Sequence, residues 1–316
     1  MYPQMLVLAG WFVAVVFAPS LRAQATGAPS PARPSSLGSI KAVCVIGDVS
    51  AVNQDTQEVV PLHNDDVLFQ NYAIKTADNS SIVLVFSNGA TVRLGASAEL
   101  VIREFLQDPF ADTDRGDAGL KQEPVPSSTR LRLVRGELVG HVAKLHHDSS
   151  YNVELPCGVA GIRGTTFRHA YYPGPKGGAQ LSMATSEGNV VFTGPDGKEV
   201  PVPTDVEITS RVRPRGGFAN FDSHPIPPRV ATIIEHHAKV MAAQTRRVTF
   251  RKADVVPAKG PKPAIRRDPA AKRETVDDTK DIEREVQERE KAPLKPAPAP
   301  KPAPVPKVPA PPVKKK

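Results

Sequence analysis

The chain alternates between short β-rich apolar runs and turn sequences from Ile40 to about Val212, and this alternation constrains its fold more than any other feature. The turns recur at intervals of ~8–12 residues, as in all-β domains. Asn88-Gly89 is the strongest hairpin signal, because both residues tolerate positive φ. The pattern predicts an all-β domain over residues 40–212, with a jelly-roll, β-roll or sandwich architecture. The turn signals stand at Gly47-Asp48, Asn88-Gly89, Arg135-Gly136, Glu187-Gly188 and Pro195-Asp196-Gly197.

The stretch GVAGIRGTTFRH places three glycines at equal spacing, at Gly158, Gly161 and Gly164. A phosphate-binding P-loop needs a lysine directly after its second glycine, and none stands there. A dinucleotide-binding loop needs a different glycine spacing and a following helix, whereas Thr165 and Thr166 favour a strand. We therefore interpret these glycines as marks of bulges, corners or close backbone approach inside a strand.

Arg163 lies in the middle of that glycine-rich stretch. A guanidinium that enters a packed region needs a carboxylate or several carbonyl groups as partners. Glu187 and Glu154 belong to neighbouring strand-turn units, so we expect Arg163 to form an ion-paired clamp with one of them. The alternative is an exposed arginine at a strand edge.

No motif in the chain predicts an enzyme. There is no G-x-S-x-G nucleophile elbow, and no pair of carboxylates stands out from the ordinary charged surface. The adjacent pairs His146-His147 and His236-His237 do not chelate by themselves, because neighbours on a strand point to opposite faces, and we interpret them as surface or interface histidines. Four acidic residues within residues 107–129 lack the residue spacing of a calcium-binding loop. We expect no catalytic residue, no cofactor and no metal ion. Those acidic residues are Asp108, Asp112, Asp114 and Asp117.

The N-terminal sequence is typical of a targeting segment. Residues 5–18 are continuously apolar, but too few to span a bilayer comfortably. Ala23 and Ala25 then supply the small residues of a cleavage site, which predicts a signal peptide over residues 1–25. A Pro/Ser linker follows over residues 26–39. We expect an exported protein of the periplasm or cell envelope, with secretion, or retention of the signal peptide as an anchor, as the alternatives.

The regions outside the β pattern differ sharply in composition. A polar Gly/Pro insertion occupies residues 107–129, an amphipathic helix is predicted over 226–247, and a charged linker or helix over 248–291. Residues 292–316 repeat Pro, Ala and Lys, which predicts an extended, disordered tail. From residue 246 onward there are 20 Lys and Arg against 10 Asp and Glu, a net charge of +10, while the rest of the chain carries −2 of the overall +8. A basic tail favours anionic partners.

The two cysteines, Cys44 and Cys157, have no CxxC spacing. In an oxidising compartment they could pair as a disulfide. The alternative is that both are small buried hydrophobic residues.

The order of the β segments resembles the FecR domain over about residues 40–200. The family repeats a hairpin with an Asp-Gly turn, an L..G.L...V strand pair, an RGT.F stretch and a closing EG.V. Here Asn88 replaces the usual aspartate of the turn. The resemblance implies an all-β periplasmic module, which in well-known members relays the state of an outer-membrane transporter to a sigma factor through a cytoplasmic segment. The matching positions are Thr76, Ser80, Leu84, Asn88-Gly89, Leu94, Gly136, Pro156, Arg163-Gly164-Thr165, Phe167, Glu187-Gly188 and Val190.

These observations predict a non-enzymatic exported module that acts as an interaction or sensing scaffold for an envelope protein or glycan. One alternative is an attachment protein whose basic tail binds an anionic cell-wall or membrane polymer. Another is signal relay across the envelope, against which stands the absence of a cytoplasmic domain ahead of the signal peptide. The tail has no aromatic residues between its lysines, which argues against nucleic acid as the partner.

Overall fold

The computed structural model describes residues 34–110, 122–214, 217–218, 220–250, 256–258 and 263–267. More than half of these residues lie in β-strands, and there is one α-helix. The elements are β1 (Ser36–Leu37), β2 (Ile40–Ile46), β3 (Val49–Asn53), β4 (Val59–Pro61), β5 (Val67–Leu68), β6 (Tyr72–Thr76), β7 (Ser81–Phe86), β8 (Thr91–Leu94), β9 (Glu99–Gln107), β10 (Ser127–His141), β11 (Ser150–Leu155), β12 (Gly158–Pro173), β13 (Ala179–Thr193), β14 (Glu199–Val202), β15 (Val206–Val212), β16 (Asp222–Pro225), α1 (Pro228–Arg247) and β17 (Val256–Pro257).

The strands pair in two series that share the long strands β10, β12 and β13. Sheet I has the order β4-β3-β6-β9-β10-β11-β12-β13-β14. Sheet II has the order β5-β2-β7-β8-β10-β12-β13-β15-β16. The shared strands contribute one half of their length to each sheet, and β11 lies between β10 and β12 in sheet I, parallel to β10. The pair β1 and β17 extends the far end of β9.

The inward faces of both sheets share one hydrophobic core, because side chains alternate between the two faces of a strand. On β10, Leu131 and Leu133 are buried in this core, while Arg130 and Arg132 point to the outer face of sheet I. From sheet II, Phe167 and Met183 enter the same core. The predicted all-β class is therefore confirmed, with the architecture of an open sandwich.

The helix α1 covers the outer face of sheet II. It begins at Pro228, whose fixed φ suits the first turn of a helix. Its buried residues, Ile234, His237, Val240 and Met241, recur at the spacing of one helix face. Met241 packs with valines of β2, β7 and β10. No helix within the described ranges has both the length and the hydropathy needed to cross a membrane.

Several predicted segments lie wholly or partly outside the described residues. These are the signal peptide at 1–25, most of the linker at 26–39, the middle of the insertion at 111–121, most of the charged segment at 248–291, and the tail at 292–316.

Candidate functional site

The RGT and EG segments meet at a corner of the sandwich. The pairing of β12 with β13 shifts register between Arg163 and Phe167, where β12 passes from sheet I to sheet II and antiparallel β13 passes back. Gly164 and Gly188 both have positive φ, at +57° and +79°. A Cβ on Gly188 would lie 2.1 Å from the carbonyl oxygen of Gly164 and 2.8 Å from Thr165 Cγ2. The glycines therefore permit a bulge and a close backbone contact, and Thr165 is buried against them.

A second corner is built around Asn88, which is 2% exposed. Asn88 Nδ2 donates to Ser127 Oγ at 3.0 Å and approaches Glu123 Oε1 at 3.5 Å. Glu123, itself 3% exposed, also accepts hydrogen bonds from the hydroxyls of Ser127 and Ser149 and from the His146 amide. This buried carboxylate therefore has donors on both oxygens, which offsets the cost of its burial. Asn88 suits the site because an aspartate would place a second carboxylate beside Glu123.

The loop between β10 and β11, residues 142–149, is held by both corners. Val142 donates its amide to the Thr165 carbonyl at 2.8 Å, which ties the loop to the RGT bulge. The Glu123 amide donates to the Lys144 carbonyl at 3.1 Å, and the Glu123 carboxylate binds the other end of the loop at residues 146 and 149. The RGT bulge and the Asn88 corner thus position the loop that carries the His146-His147 pair.

The predicted Arg163 clamp is wrong. Arg163 is exposed on the outer face of sheet I, opposite Asn189 of β13. Glu154 pairs instead with Arg130, at 3.6 Å. Glu187 lies beside His141, and its charge partly offsets the lowering of the His141 pKa by burial. A side chain before the bulge points outward from sheet I, so the guanidinium does not enter the packed region.

The arginine that is buried in an ion-paired network is Arg168, five residues further along β12. Its Nε donates to Glu137 Oε2 at 2.7 Å, and Nη1 lies 3.5 Å from Glu207 Oε1. Nη1 also donates to Ser182 Oγ at 2.9 Å, and the Ser182 hydroxyl donates to Glu207. The network joins β10, β12, β13 and β15 across the outer face of sheet II. No local sequence pattern distinguishes Arg168 from Arg163, because the bulge between them reverses the alternation of β12.

Two histidines are buried in very different places. His237 of α1 is 1% exposed, and burial lowers its pKa well below the usual value. The positive charges of Arg93, His236 and Arg168 lower that pKa further. His169 lies in the inter-sheet core against Phe167, its ring nitrogens have no hydrogen-bond partner, and burial lowers its pKa to about 3. Both rings are therefore neutral near pH 7.

The two histidine pairs have distinct surroundings. His236 and His237 lie on α1 with ring centroids 5.5 Å apart and with buried His237 turned towards sheet II. His146 and His147 lie on the 142–149 loop with ring centroids 4.3 Å apart. Asp148 Oδ2 is 3.7 Å from His146 Nδ1 and 2.9 Å from His147 Nε2. The carboxylate that follows His147 in the sequence thus lies close to both rings of this pair.

Cys44 and Cys157 do not form the disulfide considered from the sequence. Cys44 packs beneath α1 on the outer face of sheet II, with Val43 and Met241 in the same cluster. Cys157 lies in the inter-sheet core, where burial raises the pKa of its thiol to about 12. The two cysteines are thus buried in separate clusters, on opposite sides of a sheet.

The outer face of sheet I contrasts with the helix-covered face of sheet II. We call the former the open face, and define it by the outward side chains of β10 to β14. Val159 and Val191 are each 38% exposed, on neighbouring strands. Gly161 lies between them, opposite Val191, and a Cβ there would meet nothing closer than 3.7 Å. The result is a shallow hollow beside the two valines and Arg163, in which the nearest atoms are Asn152 Oδ1 and the Val191 carbonyl oxygen.

A polar groove of about 560 Å³ lies on the outer face of sheet II, beside the Arg168 network. The ring of Tyr172, which is 46% exposed, forms one wall. Gln180, Ser182, Arg211 and Asp222 supply hydrogen-bonding groups, and Ser182 is shared with the Arg168 network. The groove can hold a polar ligand against an aromatic ring.

Comparisons with known proteins bear on the identity of the β domain. Two crystal structures of a protein from Parabacteroides distasonis that is assigned as an anti-sigma factor share 11% sequence identity with this chain. They cover 54% and 60% of this chain and 74% and 85% of their own, with TM-scores of 0.36 and 0.37, which are too low to support an argument. The search of curated proteins gave no match. Residues 72–191, from the start of β6 to near the end of β13, match the family model described as FecR protein, which confirms the predicted resemblance over this part of the chain.

Proposed function

We propose that this chain is an exported, non-enzymatic FecR module that binds a protein of the cell envelope through the open face. The observation that carries the proposal is the exposure of Val159 and Val191 around the Gly161 hollow, on a face that no described element covers. Apolar side chains beside arginine are typical of the centre of a protein interface. The covered face cannot serve in the same way while α1 packs on it.

The edges of the sandwich favour docking on a face over the addition of a strand. Edge strands can recruit a partner strand through their unpaired backbone groups. Three of the outermost strands carry a proline, which has no amide hydrogen to donate: Pro61 in β4, Pro201 in β14 and Pro225 in β16. We therefore expect a partner to contact side chains of the open face.

The test is site-specific photo-crosslinking in the native envelope. A photoreactive residue at position 191 is expected to give a discrete adduct with a protein partner. The matched control is position 59 on β4, where Val59 is 63% exposed but lies at the opposite edge of sheet I. An adduct that survives high salt and deletion of residues 291–316 would support the proposal. Equal labelling from both positions, or none from position 191, would contradict it.

A second candidate is glycan binding in the groove beside Tyr172. An aromatic ring flanked by hydrogen-bonding side chains is a surface on which a sugar ring can stack. The measurement is binding of envelope glycan fragments to the full chain and to Tyr172→Ala. Loss of glycan binding in that variant, with the position-191 adduct absent, would favour this candidate. Envelope binding that collapses on tail deletion and weakens with salt would instead favour attachment through the basic tail.

A further inference from the structure

We propose that the loop between β10 and β11 binds a divalent transition-metal ion of the zinc type through His146, His147 and Asp148. Imidazole nitrogen and carboxylate oxygen are the donors that zinc takes from histidine and aspartate. The three potential donor atoms lie within 4.8 Å of one another. Within the described residues no other group of three such side chains converges in this way.

The distances between the donor atoms fit a tetrahedral ion. Zinc binds nitrogen and oxygen at ~2.0–2.2 Å, so two ligands of a tetrahedral site lie about 3.3 Å apart. The distances from Asp148 Oδ2 to His146 Nδ1 and to His147 Nε2, 3.7 Å and 2.9 Å, bracket that value. The donors of the two imidazole rings lie within 4.8 Å of each other, so binding of one ion by all three groups requires side-chain rotation. The competing hydrogen bond, from the Asp148 amide to His146 Nδ1, is long at 3.4 Å and is a minor loss.

The loop is held in place before any ion arrives. The Glu123 carboxylate accepts the His146 amide at 3.0 Å and the Ser149 hydroxyl, so it fixes both ends of the His146–Asp148 turn. Glu123 is 3% exposed and is itself bound by Ser127, which Asn88 contacts. Groups that orient a metal's ligands in this way raise the affinity for the metal, because fewer side chains lose conformational freedom when it binds.

The other histidines supply matched comparisons. His63 Nδ1 lies 3.7 Å from Asp66 Oδ2, the same separation as in the proposed site, but the pair has no third donor. His236 and His237 lie on the helix without a converging carboxylate. The convergence of three donors, and not the presence of histidine, thus distinguishes the loop. Three protein ligands leave one position of a tetrahedral ion open to water or to a side chain of a bound molecule.

The experiment titrates the full chain with Zn²⁺ alone by calorimetry, and with Co²⁺ alone by visible absorption, which reports four-coordinate geometry directly. We expect one ion per chain. His147→Asn and Asp148→Asn should each weaken binding at least about tenfold, while His63→Asn should leave it unchanged. Acidification should release the ion, because the imidazole rings must be neutral to bind it.

A positioning role for Glu123 is tested separately. Glu123→Gln should weaken Zn²⁺ binding by about tenfold while the Co²⁺ spectrum of the saturated variant stays that of the parent, since the ligands are unchanged. Stoichiometric binding that His63→Asn abolishes, or binding unaffected by both His147→Asn and Asp148→Asn, would overturn the proposal. So would the absence of any one-to-one binding by the correctly folded parent chain.

Discussion

The two outer faces of the sandwich use the same residue types in opposite ways. On the covered face of sheet II, Arg168 is buried between Glu137 and Glu207, and His237 of α1 is buried nearby. On the open face of sheet I, Arg130 pairs with Glu154 in contact with solvent, with side chains 48% and 28% exposed. Arg163, on the same strand as Arg168, points to solvent.

The difference shows that what packs over a strand, and not the strand's own sequence, decides whether a charged side chain is buried or exposed to solvent. A buried ion pair is costly to break because the remaining charge is left without water, whereas an exposed pair contributes little. Charges on the covered face therefore hold the structure together. Those on the open face are available to a partner at little cost in stability.

The largest effect is expected from the two arginines of β12. Arg168→Met should lower the free energy of unfolding by about 3 kcal/mol, since it leaves buried Glu207 and half-buried Glu137 without a cation. The matched variant Arg163→Met should change it by less than about 0.5 kcal/mol. Denaturant unfolding of both variants measures the contrast. Equal losses would mean that the two faces do not differ as described.

The next largest effect is a loss of stability at acidic pH that is caused by His169 in the core. The pKa of His169 in the folded chain, about 3, is below its ordinary value. The unfolded chain thus takes up a proton as the pH falls through about 6.5, while the folded chain does not, so stability present above pH 6.5 is lost towards pH 3. The share from His169 is about 3 kcal/mol by pH 4.

His169→Met should remove that share and leave stability at pH 7 equal or higher, because the ring nitrogens have no partners to lose. Unfolding measured from pH 7 to pH 4 checks this, with exposed His63→Gln as the control that keeps the parental slope. An unchanged acid slope in His169→Met would refute the assignment.

The corner that joins the two faces is tested with glycines. Gly188→Ala should cost about 2–3 kcal/mol, because the new Cβ would collide with the Gly164 carbonyl and the residue also has positive φ. Gly197 has nearly the same φ, +77°, with nothing within 4 Å of its Cβ position, so Gly197→Ala should cost about 1 kcal/mol. Thermal unfolding of the two variants separates the cost of the steric contact from the cost of the backbone conformation. Similar losses would show that the corner contact is unimportant.

Asn88→Asp tests the second corner and restores the residue that the family usually has at this turn. It should cost about 2 kcal/mol at pH 7, since a second carboxylate would lie beside buried Glu123. The deficit should shrink as the pH is lowered, when one carboxyl group of the variant takes up a proton. In a Glu123→Gln background the same substitution should cost much less, and a double-mutant cycle measures the coupling.

The smallest effect on stability is expected on the open face. The double variant Val159→Thr, Val191→Thr keeps β-branched side chains and should change the free energy of unfolding by less than about 0.5 kcal/mol. It should nevertheless weaken partner binding, measured as loss of the adduct from a neighbouring crosslinking position. Retained binding would direct attention to the groove or the tail.

Much of the fold could be predicted from local pattern. Leu131 and Leu133 alternate with Arg130 and Arg132, as in a strand with one buried face, and Asn88-Gly89 predicts the β7–β8 hairpin. The choice between Arg163 and Arg168 could not be predicted, because the bulge between them reverses the alternation of β12. A one-residue shift moves a side chain to the other face.

The candidate metal loop was missed for a related reason. Adjacent histidines on a strand point to opposite faces, but His146 and His147 lie in a turn that Glu123 fixes from a distant part of the sequence. Asp148 becomes the third donor only because that turn places its carboxylate 2.9 Å from His147 Nε2.

The sequence by itself determined the β class, the hairpin at Asn88-Gly89, the helical face of α1 and the resemblance to the FecR domain, since each depends on residues close together in the chain. The tertiary structure alone decided which arginine is buried, that the two cysteines lie apart, and which histidines converge with a carboxylate. Those outcomes depend on where long strands bend between two sheets and on what packs over each face, and neither is encoded in local periodicity.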